Sequence, residues 1–328
     1  MASPGLKGFR LSLDEIGALG SGLVRPECVL ATRAGKLYVS DARGGIAEIA
    51  PDGGVGFFGK MAAPAESEFK PNGIALCRDG SFLFANQGAA GGVWRMGRDG
   101  VATPYLLEVE GFPLPPTNFV LLDGAERVWI SVSTRRRERH HFRNDTADGF
   151  LILVDRRGAR VAADGFIWTN EFRFDPGGDW LYVNETFGQR LTRFRVSAEG
   201  ALSERQTVTE FGPGTFPDGI AFDQGGGAWI TSVISNRIIR VSADGGQQLI
   251  VEDLDHGHLE WIEGLLSRHE LRGRHVHVAK AEKLMNLSSL AFGGPDLKTA
   301  YLGTLSGDCV LSFAAPVAGA PLAHWDWE

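Results

Sequence analysis

The sequence predicts an all-β fold, a six-bladed β-propeller with about four antiparallel strands in each blade. Three observations carry that expectation. One short pattern, a polar residue heading an apolar strand, a turn and a second apolar strand, recurs six times. The polar positions are Glu27, Asn72, Asn118, Asn170, Asp218 and Ser288, at spacings of 45, 46, 52, 48 and 70 residues. A period near 45 is that of a propeller blade. The copies alternate as strands do, and 44 glycines suit many tight turns.

The clearest copy is Pro217-Asp218-Gly219-Ile220-Ala221-Phe222, then Asp223 to Gly227 as a glycine-rich turn, then Ala228-Trp229-Ile230-Thr231. It reads as a hairpin. The other innermost strands begin at Pro26-Glu27, Pro71-Asn72, Thr117-Asn118, Thr169-Asn170 and Leu287-Ser288. Their second strands are Leu37–Ser40, Phe82–Ala85, Val128–Ser131, Leu181–Asn184 and Ala300–Gly303. Third strands follow at Ala47–Ile49, Val93–Arg95, Leu151–Val154, Leu191–Phe194, Ile238–Val241 and Val310–Phe313. Residues 1–25 contain one strand candidate, Phe9–Leu13, placed to close the ring on the last blade. The C-terminal Leu322–Trp327 competes for that role. Two insertions interrupt the period, at about 134–148 and 255–285. The first carries Arg135, Arg136, Arg137, Arg139 and Arg143 and reads as a solvated loop or as a lid favouring an anionic substrate or product. The second holds a short amphipathic helix near His258–Leu266 and the pair His275 and His277, read as ordinary strand residues with a metal pair as the alternative.

Because the repeat is continuous, residues 1–328 are expected to form one propeller domain. The net charge of −7 is dispersed, which argues against nucleic-acid binding. No run is apolar enough for a signal peptide or membrane span. The three cysteines, Cys28, Cys77 and Cys309, lack metal-type spacing and read as buried thiols in a cytoplasmic protein. A small-molecule substrate and a monomer or small homo-oligomer complete the expectation.

Innermost strands line a propeller's channel, so their heads converge at one mouth. Here that gathers two carboxylates, three carboxamides and a hydroxyl. Glu27, Asn170 and Asp218 form an oxygen-rich set of formal charge −2, suited to one divalent cation. Calcium is the first choice, with magnesium, manganese or zinc as alternatives. Asn and Asp also serve as plain turn formers, and Asn72 and Ser288 read as strand caps or as site-lining residues. Glu27 is the telling residue, because Glu is a poor turn former.

Pro26–Ala31 (Pro-Glu-x-x-x-Ala), Thr169-Asn170 and Pro217–Ala221 resemble the senescence marker protein/gluconolactonase/luciferin-regenerating-enzyme family, in order and blade spacing, from about Glu27 to Leu305. The resemblance implies a six-bladed propeller with one divalent metal in the channel and hydrolysis of sugar lactones or related esters. It implies Glu27, Asn170 and Asp218 as metal ligands, Asp218 also as general base, and Asn118 as a substrate contact. Two departures stand out. Pro116 replaces an Arg of the lactonase pattern, and Glu171 follows Asn170 where the family has Gly, adding a carboxylate near the mouth. With Asn72, Glu171 joins the expected substrate-binding set. The first insertion is also similar to the strictosidine-synthase-like branch.

The leading expectation is metal-assisted opening of a lactone to a hydroxy acid, with Asp218 as base. A second keeps the metal and takes an aryl ester, a phosphotriester or a larger ring, with Trp168, Phe172 and Phe119 as an aromatic wall. A third is a non-enzymatic binding propeller; the repeats lack the Trp-Asp and Gly-His signatures of such platforms.

Overall fold

A computed structural model describes residues 6–63, 67–137, 144–276, 278 and 280–327. Six four-stranded antiparallel sheets surround an axis. Blade 1 comprises Val29–Ala31, Leu37–Asp41, Gly45–Ile49 and Val55–Phe58. Blade 2 is Pro71–Leu76, Phe82–Asn86, Val93–Met96 and Ala102–Leu106, and blade 3 is Phe119–Leu122, Val128–Val132, Gly149–Asp155 and Gly158–Phe166. Blade 4 is Thr169–Phe174, Trp180–Glu185, Arg190–Val196 and Leu202–Glu210, and blade 5 is Pro217–Phe222, Ala228–Ser232, Arg237–Val241 and Gln247–Glu252. Blade 6 takes Leu287–Gly293, Thr299–Thr304 and Val310–Ala314 from the end of the chain and Gly17–Leu19 from its start. A small hairpin, Glu108–Val109 with Phe112–Pro113, precedes blade 3.

The innermost and second strands are buried along nearly their whole length, because neighbouring blades cover both faces. One aromatic contact recurs between blades. Trp129, Tyr182 and Trp229 on second strands meet Phe174, Phe222 and Phe292 at the ends of the next innermost strands, with centroids 5.4, 5.0 and 5.5 Å apart. These edge-to-face contacts key blades 3, 4 and 5 each into the next. Asp123 and Asp223 accept the indole N–H of Trp129 and Trp229 at 2.9 Å, fixing the same ring in two blades.

Gly17, Ala18 and Leu19 pair with Ser312, Leu311 and Val310. The expected strand at Phe9–Leu13 is absent; Leu13–Glu15 is instead a turn of 3-10 helix, whose residue Glu15 bonds back to the Ser12 N–H. The C-terminal segment crosses the far ends of the innermost strands. Ala320 N–H donates to Phe222 O at 2.8 Å, a His324 ring nitrogen lies 3.2 Å from Ala31 O, and Trp325 is buried. The channel is thereby covered at the end away from the polar strand heads. Cys28 and Cys77 are buried free thiols and Cys309 is half-buried. Among the described residues, no helix is long and apolar enough to cross a membrane.

Candidate functional site

Four innermost strands share a break in register just inside their first residue: Pro71/Ile74, Thr169/Phe172, Pro217/Ile220 and Leu287/Leu290. The two residues inside each break are Asn72-Gly73, Asn170-Glu171, Asp218-Gly219 and Ser288-Ser289. A bulge frees them from the ladder and re-aims their side chains. Crowding at the axis demands glycine at two of these positions: a Cβ on Gly219 would collide with Ser288 O, and one on Gly73 with Phe119.

The strand heads are linked by one polar relay. Asn72 Nδ2 donates to Glu27 Oε1 at 2.7 Å, to Asn118 Oδ1 at 2.7 Å and to Asn118 O at 2.9 Å. Asn118 Nδ2 donates to Asn170 Oδ1 at 2.9 Å and to Thr169 O at 3.3 Å. Asn170 Nδ2 donates to Thr186 Oγ1 at 2.8 Å, and Thr186 passes the chain to Pro217 O at 2.7 Å. Asn184 Nδ2 holds the Asp218 carbonyl at 2.9 Å.

Glu27, Asn118, Asn170 and Asp218 line one cavity of about 190 Å³ at this mouth. Arg25, Lys70, Gln87, Thr186 and Arg274 join them in the polar wall, and Trp168, Val233, Val276 and Leu305 form the apolar wall. The sequence expectation named neither Arg25, Lys70, Gln87 nor Thr186. A positional signal existed. Gln87, Thr186, Val233 and Leu305 each immediately follow the second strand of their blade.

Other expected residues fall elsewhere. Asn72 is buried outside the cavity wall, because both its amide hydrogens and its oxygen are spent on Glu27, Asn118 and Arg25. Glu171 is likewise absent from the wall; one residue further along the strand, it turns into the blade interior, where Oε2 accepts the Ile220 N–H at 3.2 Å and faces Arg173 at 3.9 Å. Ser288 donates to Glu27 O at 2.8 Å. Phe119 and Phe172 pack edge to face at 5.4 Å in the core, so of the proposed aromatic wall only Trp168 reaches the cavity. Arg135 lies over the Phe150 ring at 4.4 Å, and none of Arg135, Arg136 and Arg137 lines the cavity. Arg139, Arg143 and His277 lie outside the described residues. His275 sits in a helical turn, Gly273–Val276, rather than on a strand.

The second insertion covers the mouth. Its helix, His256–Ser267, is capped by Asp255, which accepts the His258 N–H at 2.6 Å. Ile262, Leu265, Leu271 and Val276 pack on Trp168, Phe187 and Phe216, forming a small core above the ring. Glu263 Oε1 pins the helix by accepting from Gly214 N at 2.6 Å and Gln189 Nε2 at 2.9 Å.

Burial first, then the Glu27 and Glu171 carboxylates, push the Asp218 carboxyl well above the ordinary Asp range, with Arg25 opposing. Burial likewise raises Glu171 to about 8, against the pull of Arg173. Asp218 Oδ1 is buried and accepts no hydrogen bond among the described residues. Paired carboxylates, a carboxamide oxygen and an orphaned carboxylate oxygen are the donor chemistry that suits a hard divalent cation. Among the described residues no group of three His, Cys, Asp or Glu gathers; the third donor of this set is the amide of Asn170.

The chain belongs to the SMP-30/gluconolactonase/LRE-like family, whose model matches residues 25–252. It is 28% identical over 243 residues to a pentonolactonase of Haloferax volcanii, covering 72% of this chain and 67% of that protein. It is 32% identical over 122 residues to a 6-deoxy-6-sulfogluconolactonase of Pseudomonas putida, covering 36% of this chain and only 40% of that protein. The fold matches a gluconolactonase of Xanthomonas campestris with a TM-score of 0.66 at 18% identity, over 91% of this chain and 89% of that one. It also matches regucalcin, a calcium-binding protein of Agrobacterium tumefaciens, with a TM-score of 0.68 at 17% identity, over 96% and 98% of the two chains.

Proposed function

We propose that this protein is a divalent-metal-dependent lactonase that opens a sugar lactone or related cyclic ester to a hydroxy acid. The observation that carries the reading is the convergence of Glu27, Asn170 and Asp218 on one cavity, in a family with lactonases among its members. Glu27, Asn170 and Asp218 would hold the cation, calcium before zinc, manganese or magnesium. When bound, the cation supplies Lewis-acid stabilisation of the charge that develops on the lactone carbonyl oxygen. Asp218 accepts the proton of the attacking water, and the same proton is returned to the ring oxygen as the carbon–oxygen bond breaks. Asn118 contacts substrate by releasing its weaker bond, the one to Thr169 O at 3.3 Å. Asn72 holds Glu27 and Asn118 in place and touches no substrate. Trp168 and its apolar neighbours favour a second reading, an aryl ester placed against that wall.

The test is acid release from five- and six-membered aldonolactones and a phenyl ester, after metal is stripped and single ions are restored. Release that returns with one ion and favours lactones supports the reading. Release from the phenyl ester alone moves the assignment to an esterase, and none from any compound overturns it.

A further inference from the structure

We propose that the mouth cavity takes a lactone bearing a second, anionic substituent (carboxylate, sulfonate or phosphate) held by Arg25 and Arg274. This rests on the lactonase reading and narrows its substrate class.

Arg25 is 8% exposed and lies in the cavity wall. Its Nη2 donates to Asn72 Oδ1 at 2.8 Å and reaches Gln87 Oε1 at 3.5 Å. Its Nε and Nη1 are buried and have no hydrogen-bond partner among the described residues. An unsatisfied buried guanidinium is costly, and an anion that accepts its two spare nitrogens removes that cost. The Arg25 backbone has φ 53° directly before Pro26, and Trp168 on the same wall has φ 62°. Non-glycine residues are held in this region at a cost and gather where a ligand is bound. Arg274 faces the cavity from the lid turn, is exposed, and makes no ion pair or hydrogen bond among the described residues.

Charge gives the same answer. The carboxylates in the cavity wall are Glu27 and Asp218. Once a divalent cation offsets them, Arg25, Lys70 and Arg274 leave the wall with a net positive charge. A neutral sugar ring leaves that imbalance in place, whereas a ring with an anionic arm relieves it. The ester is placed at Asp218 and the arm against the spare Nε and Nη1 of Arg25.

The experiment measures binding rather than turnover. Full-length, metal-loaded protein is titrated calorimetrically with an anhydroalditol and with its phosphate, sulfonate and carboxylate derivatives, none of which can be hydrolysed. At least one charged ring is expected to bind about tenfold or more tighter than the neutral parent, the scale of one charge-assisted hydrogen bond. The arms identify which anion fits. R25Q and R274Q should each shrink that ratio. Arg274 is exposed on the lid, so its variant keeps the test valid if R25Q fails to fold. Equal affinity for charged and neutral rings, or no binding of any charged ring, overturns the proposal. A charge preference in a protein that hydrolyses no lactone leaves the anion site standing and removes only the lactonase reading.

Discussion

Asn72 shows how a residue outside a cavity can set its geometry. Its amide joins Glu27, Asn118 and Arg25, three groups that line the wall. Asn72→Ala is expected to cost roughly 1–3 kcal/mol of stability through the partners it orphans. It should also weaken metal binding by about 10–100-fold, the usual price of losing a ligand's supporting bond. Chemical denaturation and metal titration of one preparation check both. Asp218→Asn should lower turnover by roughly 10²-fold or more, the scale of a lost general base; near-normal turnover would remove Asp218 from that role. Glu171 supplies a pH signature. Its carboxyl is raised from 4.5 to about 8 in the folded chain. Between those values the folded state keeps a proton that the unfolded state has released. The resulting stabilisation is complete below the unfolded value and disappears as pH rises through the folded one. The Tm of stripped protein should therefore fall on going from about pH 5 to about pH 9, and Glu171→Gln should flatten that fall. Glu27, Asn170 and Asp218 were legible in the sequence because aligning the repeats isolates the heads of the innermost strands. Arg25 was not, because it precedes the repeat and reaches the cavity through a left-handed turn that no pattern of apolar residues encodes.

At the scale of elements, strand alternation located the blades, because both faces of the inner strands must be buried. It did not reveal the bulges, which add no residue type of their own. Glu171 was misplaced for that reason: adjacency to Asn170 reads as proximity to the mouth, whereas the bulge sends the two side chains to different surroundings. The charge run at 135–143 reads as a solvated loop with a lid as the alternative, but it is the turn Gly273–Val276, after the helix His256–Ser267, that brings residues over the cavity. A helix face packed on Trp168, Phe187 and Phe216 has a signature only once the ring beneath it is known. Glu263 is the polar pin of that lid. Glu263→Ala leaves the buried Gly214 N–H without its acceptor, so amide exchange across 256–276 should quicken while the blades keep their protection. Unchanged exchange would show that the apolar contacts alone hold the lid.

The whole molecule is a ring whose last sheet is completed by the first strand of the chain. Both ends of the chain seal it, Gly17–Leu19 at the rim of blade 6 and the Trp325 segment across the far end of the channel. Removing the residues before Gly20 should leave Val310–Ala314 as an open edge and lower Tm by at least several degrees. A truncated chain that melts like the full one would place ring closure elsewhere. With one end covered, the lactonase reading has substrate and cation enter by the same mouth, and the relay from Asn72 to Thr186 and the lid above it would then serve a single site. The central claim is that Glu27, Asn170 and Asp218 form a metal-dependent hydrolytic centre. Its most direct test titrates the activating ion into stripped protein while acid release from a lactone is followed, in the wild type and in Glu27→Gln. The account predicts that release grows with added ion, saturates at about one equivalent per chain, and is largely lost in the variant. Full release by the stripped protein, or by Glu27→Gln at the same level of ion, would contradict it.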